Sequence, residues 1–236
     1  MPVRVPPPAR RLLVPSGSAE LDRSDPRRGD IVVLARAVPG WVRRWAADSG
    51  RSVQTLPDDA PAAVLGTCGT LVLPRAGTEP GVRPCVVAAL RDLPDDAPVL
   101  DEAADAAAHL DGTLRVLHGV PLSFGERSVG IDEALRRGRL LLAGARERLE
   151  ATGCPVPVST ELVRAWPHEL VGEQLDADLL AVGGSRRDGG QRIGLVAASA
   201  VHHAPCPVLL AARTADRPMP VAEEQVARAR VLVSSP

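Results

Sequence analysis

The sequence predicts an α/β fold in which a parallel sheet is doubly wound, with helices on both faces. Two observations carry this prediction: short strand-like segments alternate with helical ones over residues 85–212, and the strand-like segments are almost entirely apolar. Strands buried on both faces of a parallel sheet have this composition. Right-handed crossovers between parallel strands make such a sheet doubly wound. A ligand crevice is then expected beyond the carboxyl ends of the strands, at the switch point where the strand order reverses.

The N-terminal part of the chain is less regular. Residues 1–29 contain three consecutive prolines and polar stretches rich in Arg and Asp, which predicts an irregular lead-in. Residues 30–78 are expected to form a smaller, degenerate α/β half. In this half the predicted elements are a strand at 31–35, a helix at 39–48 and a strand at 70–73.

The rest of the chain alternates regularly and predicts one complete domain at residues 83–213, followed by a C-terminal tail at 214–236. The predicted strands of this domain are residues 85–90, 114–120, 156–162, 179–182 and 208–212. The predicted helices are residues 99–110, 131–152, 167–175 and 191–203.

Composition excludes several classes of function. The net charge is −1 and the chain has no Tyr and one Phe, so it lacks the basic surface and the stacking aromatics that nucleic-acid binding uses. All 28 basic residues are Arg, and without lysine a Walker A loop and Schiff-base chemistry are excluded. The four cysteines lack metal-site spacing, and no apolar run reaches the roughly 18 residues of a membrane span. We therefore expect a cytoplasmic protein without a metal.

Residues 66–75 and 204–213 resemble each other, with cysteine, leucine and arginine at the same offsets. A strand-like segment that begins after Asp30 precedes the first copy, and one that begins after Asp178 precedes the second. Two alternatives stay open: the similarity arises by chance, or residues 30–75 are a shortened copy of the C-terminal part of the domain.

The string HHAPCPVLL at residues 202–210 is the most distinctive motif in the chain. It follows the segment ADLLAVGGSR at residues 177–186, and the segments CVVAALRDLP at 85–94 and LRVLH at 114–118 precede both. Together these motifs resemble the universal stress protein family over residues 83–213, a complete single domain.

The resemblance implies a five-stranded, Rossmann-like parallel sheet that is often dimeric through its last strand. Tandem copies occur in this family, so residues 30–78 would be the truncated remnant of a second domain. Some members bind ATP and others do not. The binders resemble one another in an Asp that ends the first strand and in a loop of the form G-x-x-G, nine residues, then G-[S/T]. The backbone N–H groups and the hydroxyl of such a loop hold phosphates.

This chain departs from the loop pattern of the ATP-binding members. Gly183 matches the first glycine, but Arg186 stands at the second and Leu195 at the Ser/Thr position. Gly194 matches the third glycine and comes two residues early. We therefore expect no cofactor, with ATP binding weak or absent, although the arginines of the loop can attract another anion.

The end of the first strand of the domain also departs from the pattern, because Arg91 stands where the Asp is expected and Asp92 follows it. The crevice predicted for a nucleotide or another anion combines the first strand end, the second strand end and the glycine loop. Its candidate residues are Leu90, Arg91, Asp92, Pro94, His118, Gly119, Gly183, Gly184, Ser185, Arg186, Gly194, Leu195 and Val196.

Other residues have a functional and a structural interpretation. His118 either acts in the crevice or is a hydrogen-bonded structural side chain. Asp95 and Asp96, together with Asp92, form either a general-base or cation site on a loop or the turn and N-cap cluster before the helix that begins at Val99. Cys206 is either a redox-sensitive thiol or a small buried residue. No nucleophile, base and orienting residue can be assembled from the sequence, so no enzyme is expected.

These observations predict a regulatory protein of the stress response that acts by binding a protein partner or a small anionic ligand. Three alternatives remain: an ATP-dependent switch, an enzyme of the adenine-nucleotide hydrolase type, and a scaffold in which residues 30–78 replace a dimer partner by covering the edge strand. The expected assembly is a homodimer or a pseudo-dimeric monomer, and the partner is unknown.

Overall fold

The computed structural model describes residues 31–34, 38–51, 53–56, 70–73, 81–121, 130–184 and 194–211. The predicted lead-in at 1–29 and the tail at 214–236 lie outside these residues. No helix in the described part of the chain combines the length and the apolar character that a membrane span requires.

In the N-terminal half the structure describes three strands and one helix. These are β1 (Ile31–Leu34), α1 (Gly40–Asp48), β2 (Val53–Leu56) and β3 (Thr70–Leu73). The sequence prediction missed β2, because VQTL is short and half polar and so lacks the apolar run of the other strands.

The C-terminal domain alternates between strands and helices, as predicted. In chain order its described elements are β4 (Cys85–Ala89), α2 (Leu93–His109), β5 (Thr113–Gly119), α3 (Ile131–Ala151), β6 (Val158–Val163), α4 (Pro167–Leu170), β7 (Leu179–Gly183), α5 (Leu195–His203) and β8 (Val208–Ala211).

The described strands form one sheet in the order β2-β1-β3-β8-β7-β4-β5-β6. The five strands from β8 to β6 are parallel, which confirms the predicted doubly wound, Rossmann-like sheet. The N-terminal half extends this sheet, because β3 pairs antiparallel with β8. Within that half, β1 is parallel to both β2 and β3.

Each face of the sheet carries its own apolar core. On one face α1, α2 and α3 pack over residues such as Val86, Leu114 and Leu179. On the other face α5 packs over residues such as Leu180 and Leu210. Near-continuous apolar strands are required for a sheet that is buried on both sides, and the β7 segment is buried at every position.

Helix α1 connects the N-terminal half to the C-terminal domain. Trp41 and Trp45 are buried and stacked with their ring centroids 6.2 Å apart, as expected for apolar residues four apart on one helix face. The indole Nε1–H of Trp45 donates to Asp105 of α2 at 2.6 Å. The Arg51 guanidinium donates to Glu102, also on α2, at 2.6 Å.

The boundaries of three helices differ from the prediction by four residues or more. Helix α5 begins at Leu195 rather than at residue 191, because Gly194 is its N-cap residue. Helix α2 begins at Leu93 rather than at residue 99, because Pro94 fits a first helical turn and Pro98 removes only one backbone donor. Helix α4 ends at Leu170 rather than at residue 175, because Gly172 directly follows its C-cap residue, Val171.

The similarity between residues 66–75 and 204–213 does not describe equivalent positions in the sheet. That alignment places Val72 opposite Leu210 in sequence, but Val72 lies in the core under α1 and α2, and Leu210 lies in the core under α5. The residue that pairs with Val72 across the strands is Leu209.

Candidate functional site

A cavity of about 240 Å³ opens beyond the carboxyl ends of β4, β5 and β7. It lies at the switch point of the sheet. There β5, the next strand in the chain, pairs with one side of β4, and β7 pairs with the other side. The structure brings nine of the predicted residues together around it: Leu90, Arg91, His118, Gly119, Gly183, Gly184, Gly194, Leu195 and Val196.

The remaining predicted residues do not line this cavity. Asp92 and Pro94 lie exposed at the start of α2, outside the lining. Asp92 is the N-cap residue of α2, and its side chain makes no capping hydrogen bond. Ser185 and Arg186 fall outside the described residues, so the glycine loop itself is described only at its two ends.

The turn from β4 to α2 is held by a carboxylate that the sequence analysis assigned only to a polar cluster. Asp96 is fully buried, and its Oδ2 accepts the backbone N–H of Arg91 at 2.6 Å and that of Asp92 at 3.1 Å. These two amides are therefore already bonded and are not offered to a ligand. The sequence signal was an aspartate in the first turn of a helix that follows a strand.

The Arg91 side chain lies at the rim of the cavity and is 53% exposed. Its guanidinium approaches Asp95, one turn along α2, at 3.7 Å. The separation exceeds hydrogen-bonding distance, so this ion pair leaves the guanidinium donors available. A fixed positive charge therefore stands at the end of the first strand of the domain.

His118 connects the ends of β4 and β5. Its Nδ1 lies 2.9 Å from the carbonyl oxygen of Leu90, and because a carbonyl only accepts, Nδ1 carries the proton and donates it. The imidazole packs against Gly138 of α3, where an added Cβ would lie 2.9 Å from His118 Cδ2. The structural interpretation of His118 is thus supported, although the ring also lines the cavity.

Helix α5 points its N-terminus at the cavity. Gly194 is the N-cap residue, with φ −63° and ψ 155°, and no acidic residue occupies the first turn. The first amides of a helix have no intrahelical acceptor and carry a partial positive charge. Leu195, at the position of the Ser/Thr hydroxyl, is 72% exposed at the mouth and offers no hydrogen bond from its side chain.

A family model described as the universal stress protein family matches residues 83–212, more than half of the chain. The chain belongs to the universal stress protein family. The predicted resemblance is therefore confirmed for the domain that forms the cavity. No curated protein matches the chain.

Solved structures of universal stress proteins are similar to this one. A protein from Archaeoglobus fulgidus DSM 4304 is 18% identical with a TM-score of 0.47, over 64% of this chain and 53% of that one. UspA from Lactobacillus plantarum is 18% identical with a TM-score of 0.46, over 56% and 99%. A protein from Archaeoglobus fulgidus in complex with dAMP is 23% identical with a TM-score of 0.42, over 56% and 97%. This universal stress protein spans about half the length of the first of them.

The chemistry of the cavity is limited by its lining. Apart from Arg91 and His118, every described lining residue is apolar or glycine. The described lining thus contains no carboxylate and no hydroxyl, so it holds no acid–base pair. Among the residues that the structure describes, no group of three His, Cys, Asp or Glu side chains is placed to hold a metal ion.

A second, larger groove of about 850 Å³ lies over β5 and β6, next to α4. Its charged lining is mainly acidic, with four carboxylates and one arginine, Arg115. The carboxylates belong to Glu161, Glu169, Glu173 and Asp176. Because of this charge it disfavours anions, in contrast to the cavity at the switch point.

The histidines and the cysteine of the HHAPCPVLL motif have structural positions. His202 and His203 form the last turn of α5, with ring centroids 6.1 Å apart and planes tilted by 55°, a placement that suits the helix C-terminus. Cys206 is buried, which agrees with its interpretation as a small packed residue.

Proposed function

We propose that this universal stress protein is a regulatory protein of the stress response that acts by binding a small anionic ligand in the cavity at the switch point. The observation that carries the proposal is the placement of the Arg91 guanidinium at the rim of a preformed cavity whose described lining has no carboxylate, with the ion pair to Asp95 too long, at 3.7 Å, for a hydrogen bond. Guanidinium groups recognise carboxylates and phosphates through paired N–H donors.

ATP binding is weak or absent in this proposal. A relative of known structure holds dAMP, so a nucleotide is a reasonable ligand to test. Against it, the spacing from Gly183 to Gly194 is two residues short of the pattern, and the hydroxyl expected at Leu195 is missing. The turn amides at residues 91 and 92 are also occupied by Asp96.

The proposed protein is not an enzyme, because the part of the cavity lining that the structure describes offers no acid–base pair for nucleotide hydrolysis. The test is mass spectrometry of the small molecules released from freshly purified protein, with a thermal titration against ATP and AMP. We expect no ATP and no concentration-dependent rise in Tm with ATP. Co-purified ATP, with a rise of the size that saturating ligand produces, would overturn the weak-binding part of the proposal.

A second role is favoured by the pairing of β3 with β8. We propose that residues 30–78 occupy the place of a dimer partner, which makes the chain a pseudo-dimeric monomer. Paired residues across two antiparallel strands are related by a two-fold axis perpendicular to the sheet, and such an axis keeps each helix on its own face. Helices α1 and α2 do lie on the same face, and β1 and β2 lie beyond β3 as β7 and β4 lie beyond β8, with all strands on each side parallel.

The assembly is tested on the full chain by light scattering. The unaltered protein is expected to be monomeric, because β8 is already paired on both sides. Val72→Pro removes one β3 donor and should release the β8 edge, which produces dimers, whereas the control Val72→Ala keeps the N–H group and the monomer. A dimeric unaltered chain would contradict this role.

A further inference from the structure

We infer that the cavity at the switch point takes a small amphiphilic anion, with an apolar body in the cavity and a carboxylate or phosphate head on Arg91. The inference rests on the proposed anion-binding function and names the class of ligand. It differs from nucleotide binding, because a nucleotide brings a base and a ribose that both need hydrogen-bond partners.

The walls of the cavity select for an apolar body. Its inner wall consists of Leu117, Val182 and Ala197, which belong to the core under α5 and are at most 4% exposed. The transfer of apolar surface from water onto such a wall lowers the free energy of the complex. A cavity of 150 Å³ with apolar walls accepts benzene, so about 240 Å³ is enough for a chain of several carbons.

The same walls select against a ribose or a purine. In the described lining only the Arg91 and His118 side chains carry polar atoms, and His118 Nδ1 is already bonded to the Leu90 carbonyl. Hydroxyls and ring nitrogens placed against the inner wall would lose water without gaining side-chain partners there, which costs binding free energy.

The charge at the rim selects for an anionic head. Arg91 contributes a guanidinium whose distance to Asp95 is too long for a hydrogen bond. The N-terminus of the nine-residue helix α5 adds partial positive charge from a second direction. No carboxylate among the described lining residues opposes either of them.

The backbone that carries Arg91 is held on both sides. His118 donates to the carbonyl of Leu90 at 2.9 Å, and Asp96 accepts from the N–H of Arg91 at 2.6 Å. The base of the side chain is thus fixed before a ligand arrives, which reduces the entropy lost on binding.

The test is calorimetry on the full chain with hexanoate and hexyl phosphate, which share the apolar body and differ in the head. The comparison ligands are 1-hexanol, hexylamine, acetate, inorganic phosphate and AMP. We expect hexanoate, hexyl phosphate or both to bind at least about tenfold more tightly than the comparison ligands. Shifts of the backbone amide resonances of Gly119, Gly183 and Gly184 should report binding in the cavity.

The matched variants are Arg91→Gln and, as control, Arg146→Gln, which removes an exposed arginine on the outer face of α3. Arg91→Gln should weaken the better anion about tenfold and Arg146→Gln should leave it unchanged. Both side chains are exposed, so both variants are expected to fold, which circular dichroism checks.

Each outcome decides between the inference and the proposed function. Equal binding of 1-hexanol and the six-carbon anions, or an unchanged affinity in Arg91→Gln, overturns the inference. Tighter binding of AMP, or of acetate or phosphate alone, in the same cavity overturns the ligand class and leaves the proposed binding function standing. If no anion binds at all, the cavity is not an anion site and both fail.

Discussion

Replacement of Asp96 by alanine is predicted to destabilise the fold by about 2–4 kcal/mol. The side chain is fully buried and accepts two backbone N–H groups, at 2.6 Å and 3.1 Å. A hydrogen bond to a charged group contributes about 1.5–3 kcal/mol, and the longer of these two belongs at the low end. The alanine variant no longer bears the desolvation cost of a buried carboxylate, which offsets part of the lost hydrogen-bond energy. The net loss of stability therefore falls in the stated range.

The assay is urea unfolding of the full chain at pH 7, with the midpoint compared at an unchanged m-value. The control is Asp92→Ala, which removes an exposed carboxylate without a capping hydrogen bond and should change stability by less than about 0.5 kcal/mol. The reasoning is refuted if Asp96→Ala costs less than about 0.5 kcal/mol, or if the two variants cost the same. Because the turn carries Arg91, Asp96→Ala should also weaken anion binding.

Three further predictions concern α1 and α3. Trp45→Phe removes the indole donor to Asp105 and should cost about 1–2 kcal/mol in urea unfolding, since the carboxylate can still reach water. Gly138→Ala places a methyl group 2.9 Å from Cδ2 of the hydrogen-bonded His118 ring, besides 2.5 Å from Leu162 Cδ1, and should cost about 1–3 kcal/mol, seen as a lower Tm. Hydrogen bonds from two arginines of α3, Arg136 first, lower the pKa of Glu133 to about 2 from its ordinary value of 4.5. The stabilisation from Glu133 is therefore complete above about pH 4.5 and lost as the pH falls towards 2; a carboxyl NMR titration at low salt should show this midpoint.

Each of these has a measurement that would contradict it. Trp41→Phe on the same helix is the control for Trp45, and an equal effect of both would deny a special role to the Asp105 contact. Gly144→Ala, whose methyl meets only the flexible end of Leu93 at 3.1 Å, should be nearly neutral or stabilising, in contrast to Gly138→Ala. A Glu133 midpoint that is the same in Arg136→Gln would show that the pair is not the cause.

Much of the candidate site was predictable because it follows from local pattern and topology. The apolar runs at β4, β5 and β7 indicate parallel strands, and the rule for switch points then places Leu90, His118 and Gly183 at one edge. Asp96 was not predicted as the residue that holds the turn, because its role depends on a helix start six residues earlier than the apolar periodicity indicates.

Local pattern determined the class of fold, the five parallel strands, the position of the crevice and the family, since apolar periodicity and short motifs record which residues are buried and how the chain turns. Only the tertiary structure decided that β3 joins β8 and that α1 docks on α2 through Trp45 and Asp105. These contacts join backbone edges and side chains far apart in the chain, and pairing between distant strands leaves no period in the sequence. The same holds for the described, mainly apolar lining of the cavity, because it exists only once three strands and two helices have been brought together.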